Sequence, residues 1–388
     1  MAQQGKGSAS TIKARPESRP SEGKRPERKV YLDVLRAIAI FSVVVIHVAA
    51  NNWYSTEVTS LEWQAFNVYD SLVRWSVPMF VMISGALFLD PNRAVPIRKL
   101  YRKNVVRIVV AFIVWSLAYV LFGLYVTESI HTKSQIFSHL VKGEYHLWFL
   151  WMIVGLYIVT PILRRVTSSP KATRYFVIVA LVFSFCIPTI EELASSLLPL
   201  LGIDQLSKAF DIMTKAYGQM RFHLTLSFVA YFVLGYYLSQ KSYSKGQRGA
   251  IYALGIAGFA FIVLYSRFIA MQTGEAYGFY DWMLLPVMLE AVAIFVLARQ
   301  ADEKRIARIK GADESLAMRA VRFVSVRSFG VYLVHIMVLR LFMMLTPLNP
   351  VAINPLLSVP IIAIIVFAIS LAISALLHRI PVVGRYIT

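Results

Sequence analysis

Between residues 31 and 378 the sequence returns repeatedly to apolar runs of about 20 residues, the length an α-helix needs to cross the hydrocarbon core of a bilayer. Inside lipid every backbone N–H and C=O must find a partner within the protein, which leaves helices or closed barrels. The runs lack the alternation of a barrel strand, so the chain reads as an all-α polytopic membrane bundle of about ten transmembrane helices. Their expected positions are 31–50, 71–89, 105–125, 146–165, 174–193, 222–238, 249–268, 281–298, 327–346 and 356–378. Composition agrees: 57% of the residues are hydrophobic and 16% charged, where a soluble domain carries about a quarter charged.

The net charge of +19 would suit a nucleic-acid binder, but the placement of the charges argues otherwise. Alternate inter-span segments carry 31 Lys and Arg on one side and 5 on the other. By the positive-inside rule the rich side is cytoplasmic, which puts both termini in the cytoplasm and leaves no role for nucleic acid. Residues 1–29 hold eight Lys or Arg and almost no large apolar side chain, so they read as a disordered basic tail ahead of a membrane domain at 30–388. The single cysteine, Cys186, excludes an internal disulfide framework and a cysteine-based zinc site. His131, His139, His223 and His378 show no ligand spacing, and no metal site is readable.

Ionisable residues inside the spans are costly and are therefore candidates for function. They are Asp33, Arg36 and His47 in the first span, Arg74 in the second, Arg267 in the seventh, Glu290 in the eighth, and His335 and Arg340 in the ninth. His146 and His378 stand at span ends. Asp33 and Arg36 are three apart and can pair. Arg36 and His47 are eleven apart, close to three full turns, so they share one helix face about 16 Å apart along the axis. The pair at 33 and 36 suits an interfacial ion pair or a functional one. His47 suits helix packing or proton abstraction from an alcohol.

The stretch Asp33-x-x-Arg36-x(10)-His47 resembles the first helix of the acyltransferase 3 family, membrane acyltransferases that modify bacterial surface carbohydrates. Arg74-Trp-Ser-Val-Pro78-Met-Phe80-Val-Met-Ile-Ser84-Gly85 resembles its second helix. His146-Leu-Trp148-Phe149, with Leu156-Tyr157 and Thr160-Pro161, resembles its fourth-span motif. Ser328-Phe329-Gly330-Val-Tyr332-Leu-Val-His335 resembles its late signature, with Phe329 where a tyrosine is more usual. The similarity covers residues 30 to about 378, and its flavour is nearest the subgroup that includes the enterobacterial common antigen O-acetyltransferase and the intercellular-adhesin modification protein. The family's Arg-x-x-Arg motif of the first cytoplasmic loop is absent. Arg98-Lys99-Leu-Tyr-Arg102-Lys103-Asn-Val-Val-Arg107 keeps the charge but not the spacing.

The resemblance implies a multi-pass protein of the bacterial inner membrane that transfers an acyl group, most often acetyl, from cytoplasmic acyl-coenzyme A to a hydroxyl of a surface or lipid-linked carbohydrate. No permanently bound cofactor is expected. On this reading His47 is the general base, with a covalent acyl-histidine relay as the variant, and Arg36, Asp33 and Glu290 are further catalytic candidates. Arg98, Arg102, Lys103 and Arg107 are candidates for the donor phosphates, or else ordinary positive-inside charge. Arg74, His146, Trp148, His335 and Arg340 are candidates for acceptor binding or support, although an aromatic residue at the depth of Trp148 also suits an interfacial belt. A different class, an exporter of a polysaccharide or lipid-linked intermediate, would also use intramembrane Arg, His and Glu. Paired, interrupted spans of the kind such transporters carry are not evident.

Overall fold

A computed structural model describes residues 29–93, 96–219, 223–308, 315–381 and 384–388. The expected basic tail lies outside the described residues except for Lys29. Among the described residues there are helices and no strand. The chain begins with α1 (Val30–Ala49), whose mostly apolar sequence, interrupted by Asp33, Arg36 and His47, closes in a short 3₁₀ turn at Ala50–Asn52. There follow α2 (Leu61–Val73), α3 (Ser76–Phe88), α4 (Ile97–Lys99), α5 (Val106–Tyr125), α6 (Lys133–Lys142) and α7 (Trp148–Thr167). Next come α8 (Pro170–Ala180), α9 (Ile187–Leu197), α10 (Asp204–Gln219), α11 (His223–Gln240) and α12 (Lys245–Thr273). The chain continues through α13 (Leu285–Arg308), α14 (Leu316–Leu345), α15 (Pro355–Leu377) and α16 (Gly384–Ile387).

Eight helical stretches among the described residues are long and apolar enough to span a membrane. The two other expected spans are present as helices of a different character. α11 is bent at Ser227, where φ is −39° and ψ −121°. α13 carries Glu290, Arg299 and Asp302 along its length. Protein rather than lipid surrounds the α11 segment Val229–Leu234, which is buried throughout. A helix enclosed in this way is not held to the apolar surface that lipid demands.

Several spans run past their expected limits. The second begins at Leu61 instead of 71, because Ser60 caps α2 by accepting from Trp63 N at 3.1 Å. Asn67 and Asp70, which make this stretch look like a loop in sequence, are buried and bonded inside the bundle. The fifth continues beyond Pro188 to Leu197, since a π-helical turn at Leu181–Cys186 lets the proline open α9, where its missing N–H costs nothing.

α1 is the central element, packed against α2, α3, α13, α14 and α15. The tightest helix pair is α3 with α11. A methyl group added at Gly85 would stand 1.7 Å from the Phe232 carbonyl oxygen, and one at Gly235 would stand 2.1 Å from that of Met82. Two glycines thus let the backbones touch, the small-residue device of helix association in membranes.

Candidate active site

A cavity of about 650 Å³ runs beside α1 from Arg36 to His47. Its middle is walled by Phe80 and Ile83 of α3, Phe149 and Ile153 of α7, and Val43 of α1. Apolar walls with polar groups at the two ends suit a long ligand that is charged at one end.

At the Arg36 end three side chains interlock. Ser325 Oγ donates to Asp33 Oδ1 at 2.7 Å and accepts from Arg36 NH1 at 3.1 Å, and Arg36 meets Asp33 at 3.4 Å. The ion pair expected from sequence is therefore present and is tied to α14 by a serine. Arg107 lines the same end with Asn104 and Ser328. Its guanidinium lies 5.0 Å from the Phe329 ring centroid and donates to the Thr388 carbonyl oxygen. A π-helical turn at Leu100–Val105 precedes α5. Arg98, Lys99, Arg102 and Lys103 are exposed and do not line the cavity. Of the four donor-binding candidates, Arg107 alone borders the cavity.

At the other end three histidines converge. The His47 ring centroid lies 5.1 Å from that of His335 and 6.4 Å from that of His146, and the latter two are 5.2 Å apart. His335, expected in the inner half of its span, instead stands level with His47, because α14 starts eleven residues before the expected span. His335 Nδ1 lies 2.7 Å from the Tyr332 carbonyl oxygen, so that nitrogen carries a proton and donates it. His47 Nδ1 lies 3.2 Å from Tyr145 Oη. Among the described residues no group of His, Cys, Asp or Glu side chains is arranged to hold a metal ion.

The segment that carries Tyr145 and His146 is fastened from two sides. Glu144, 5% exposed, receives both terminal nitrogens of Arg340, at 3.1 and 2.9 Å. Tyr332 Oη donates to the His146 carbonyl oxygen. The turn into this segment needs Gly143, whose φ is +77°. Arg340 therefore positions the loop rather than bordering the cavity.

Arg74 does border it, and it pairs with the buried Asp70. Its guanidinium lies 4.6 Å from the Tyr280 ring centroid and 5.9 Å from that of Trp282. Burial, with the Asp70 carboxylate adding, pushes the Tyr280 phenol well above its ordinary pKa. That phenol donates to Asn67 Oδ1 at 2.5 Å. Trp148 lies 4.9 Å from Trp282 and 5.5 Å from Phe228, and both tryptophans line the cavity. Trp148 is thus turned inward rather than standing in a lipid-facing belt. Glu290 is 5% exposed, neither of its oxygens is hydrogen-bonded, and it does not line the cavity, but it lies within the field of Arg74. Arg267 is exposed.

A family model described as an acyltransferase domain matches residues 29–378, nearly the whole chain. The chain belongs to the acyltransferase 3 family. It is an acyltransferase, and its apolar helices make it a multi-pass membrane protein. No curated protein and no solved structure matches this acyltransferase. Ser325, Asn104, Glu144, Asp70 and Trp282 escaped the sequence reading. Each takes its place through a partner or a cavity wall supplied by distant parts of the chain, and none stands out as an expensive charge inside an apolar run.

Proposed function

We propose that this acyltransferase moves an acyl group, most simply acetyl from acetyl-coenzyme A, across the bilayer to a carbohydrate hydroxyl. The supporting observation is the single cavity that joins Arg36 and Arg107 at one end to His47 at the other. Its size falls within the range of about 300–1,000 Å³ usual for small-molecule sites. In this reading the bundle has ten spans, both termini lie in the cytoplasm, and the membrane is the bacterial inner membrane. On this reading the enterobacterial common antigen O-acetyltransferase and the adhesin-modifying proteins are functional analogues.

The donor's phosphates stay at the Arg107 end, where charge-assisted hydrogen bonds hold them. The apolar walls take the pantetheine arm and bring the thioester carbonyl to His47. His47 removes the proton of the acceptor hydroxyl as its oxygen attacks that carbonyl. The C–O bond forms, the C–S bond breaks, and the proton passes from the imidazolium to the departing thiolate, giving free coenzyme A. The Asp33–Ser325–Arg36 group fixes the entrance by joining α1 to α14.

The deciding experiment uses purified protein in lipid nanodiscs with radiolabelled acetyl-coenzyme A. Release of free thiol with label appearing on an added glycan is the expected result. Movement of glycan across sealed liposomes without any turnover of acetyl-coenzyme A would replace the proposal with an exporter.

A further inference from the structure

The positive charges at the His47 end of the cavity are each compensated by a buried carboxylate. At the His47 end the guanidinium of Arg74, which borders the cavity, has its own buried carboxylate on Asp70, 3% exposed. Arg340, one layer behind, is held bidentately by Glu144, 5% exposed. Glu290, buried within the field of Arg74, adds no positive charge. At the Arg36 end Arg36 is likewise paired with Asp33, and Arg107 lies against the Phe329 ring and the main-chain oxygen of Thr388. An anion entering at the His47 end would have to displace a carboxylate from a buried pair, and breaking such a pair is expensive.

The same end is rich in aromatic surface. Trp148 from α7, Phe228 from α11 and Trp282 from the turn before α13 form a continuous ladder, with ring centroids 4.9 to 6.2 Å apart. The Trp282 backbone is tied down by Tyr231 Oη, which donates to its carbonyl oxygen at 2.6 Å. Its indole Nε1 is buried without a hydrogen-bond partner, in a ring that lines the cavity. An indole N–H normally finds an acceptor when buried.

Accordingly, the geometry points to an uncharged pyranose as the acceptor unit: a neutral sugar ring seated against Trp148 and Trp282, with acidic sugars excluded by the compensated Arg74–Asp70 pair. This rests on the reading of the His47 end as the acceptor end. Trp282 is then a specificity-determining residue, and Asp70 sets the charge preference.

The test is saccharide binding to nanodisc-embedded protein, read by tryptophan fluorescence and microcalorimetry. A neutral glucose trisaccharide is compared with a galacturonate trisaccharide. The neutral sugar is expected to bind at least tenfold more tightly. Trp282→Ala should weaken it at least tenfold, and Trp282→Phe, which keeps the ring but lacks the N–H, by a smaller factor. Asp70→Asn, which leaves Arg74 uncompensated, should move the preference toward the uronate by about tenfold. Equal or tighter binding of the uronate by the parent protein, or binding of the neutral sugar unchanged in Trp282→Ala, overturns the inference. So does the absence of saturable binding of either sugar. Turnover of acetyl-coenzyme A in the same nanodiscs separates the two readings. Turnover without the sugar preference sinks only the acceptor assignment, and the sugar preference without turnover sinks the acyltransfer reading of this cavity.

Discussion

The phenol of Tyr145 lies 3.2 Å from Nδ1 of His47, which leaves Nε2 as the nitrogen that a substrate can meet. Replacing His47 with Ala should lower acyl transfer by about 10²–10⁴-fold, the usual share of a general base. Acyl-coenzyme A binding, measured by equilibrium dialysis, should change little. Retention of full turnover would remove His47 from the chemistry.

Arg107 and the exposed basic residues next to it make opposite predictions. Arg107→Ala should raise KM for acyl-coenzyme A by about tenfold or more, since a charge-assisted hydrogen bond contributes about 1.5–3 kcal/mol. Joint replacement of Arg98, Arg102 and Lys103 by Gln should change KM less than about threefold at physiological salt, where exposed charges are screened. Initial-rate kinetics with both proteins in one lipid composition would expose the reverse order.

Arg340 holds the Tyr145–His146 loop through Glu144, and the reaction is expected to depend on it. Arg340→Met leaves a buried carboxylate without its cation, and losing one partner of such a pair costs about 3–5 kcal/mol when both are fully buried. The Arg340 side chain is 37% exposed, so the loss should fall below that range. With the loop released, Tyr145 and His146 shift relative to His47. kcat should then drop by about 10²-fold, the loss that a misplacement of about 1 Å can cause. The double variant Glu144→Gln with Arg340→Met should recover part of the thermal stability lost in the single one. Identical melting temperatures for single and double variants would show that the pair carries no coupling.

Gly85 tolerates no side chain. Gly85→Val should lower the unfolding temperature in detergent sharply or abolish insertion, because its Cβ would overlap the Phe232 carbonyl. Gly155, which has nothing within 4 Å of an added Cβ, is the matched control, and Gly155→Ala should be neutral within measurement. Equal melting curves for the two variants would contradict the close α3–α11 contact.

How much of this was visible in the sequence depends on distance along the chain. Asp33, Arg36 and His47 share one helix, so their spacing alone put them on one face. The partners that organise them do not. Ser325 lies 289 residues from Arg36 and Tyr145 lies 98 from His47, and each is an ordinary polar residue in its own neighbourhood. Charge patterning found the loops but misjudged the second and ninth spans. Asn67, Asp70, Arg319 and Arg322 look like loop residues until their helices are seen to extend through them. The same bias put Arg98, Arg102 and Lys103 beside Arg107 as equal donor candidates, since a sequence displays charge density and not the direction a side chain takes.

The glycine seam between α3 and α11 carries a mechanical consequence. α3 supplies Val77, Phe80, Ile83, Ser84, Leu87 and Phe88 to the cavity and is backed across that seam with no slack. This wall works as an anvil: it cannot recede when a bulky ligand slides in. Any widening must come from the facing side, built of α5, α7 and α14, so two absent methyl groups decide which half of the molecule yields and which half stays fixed.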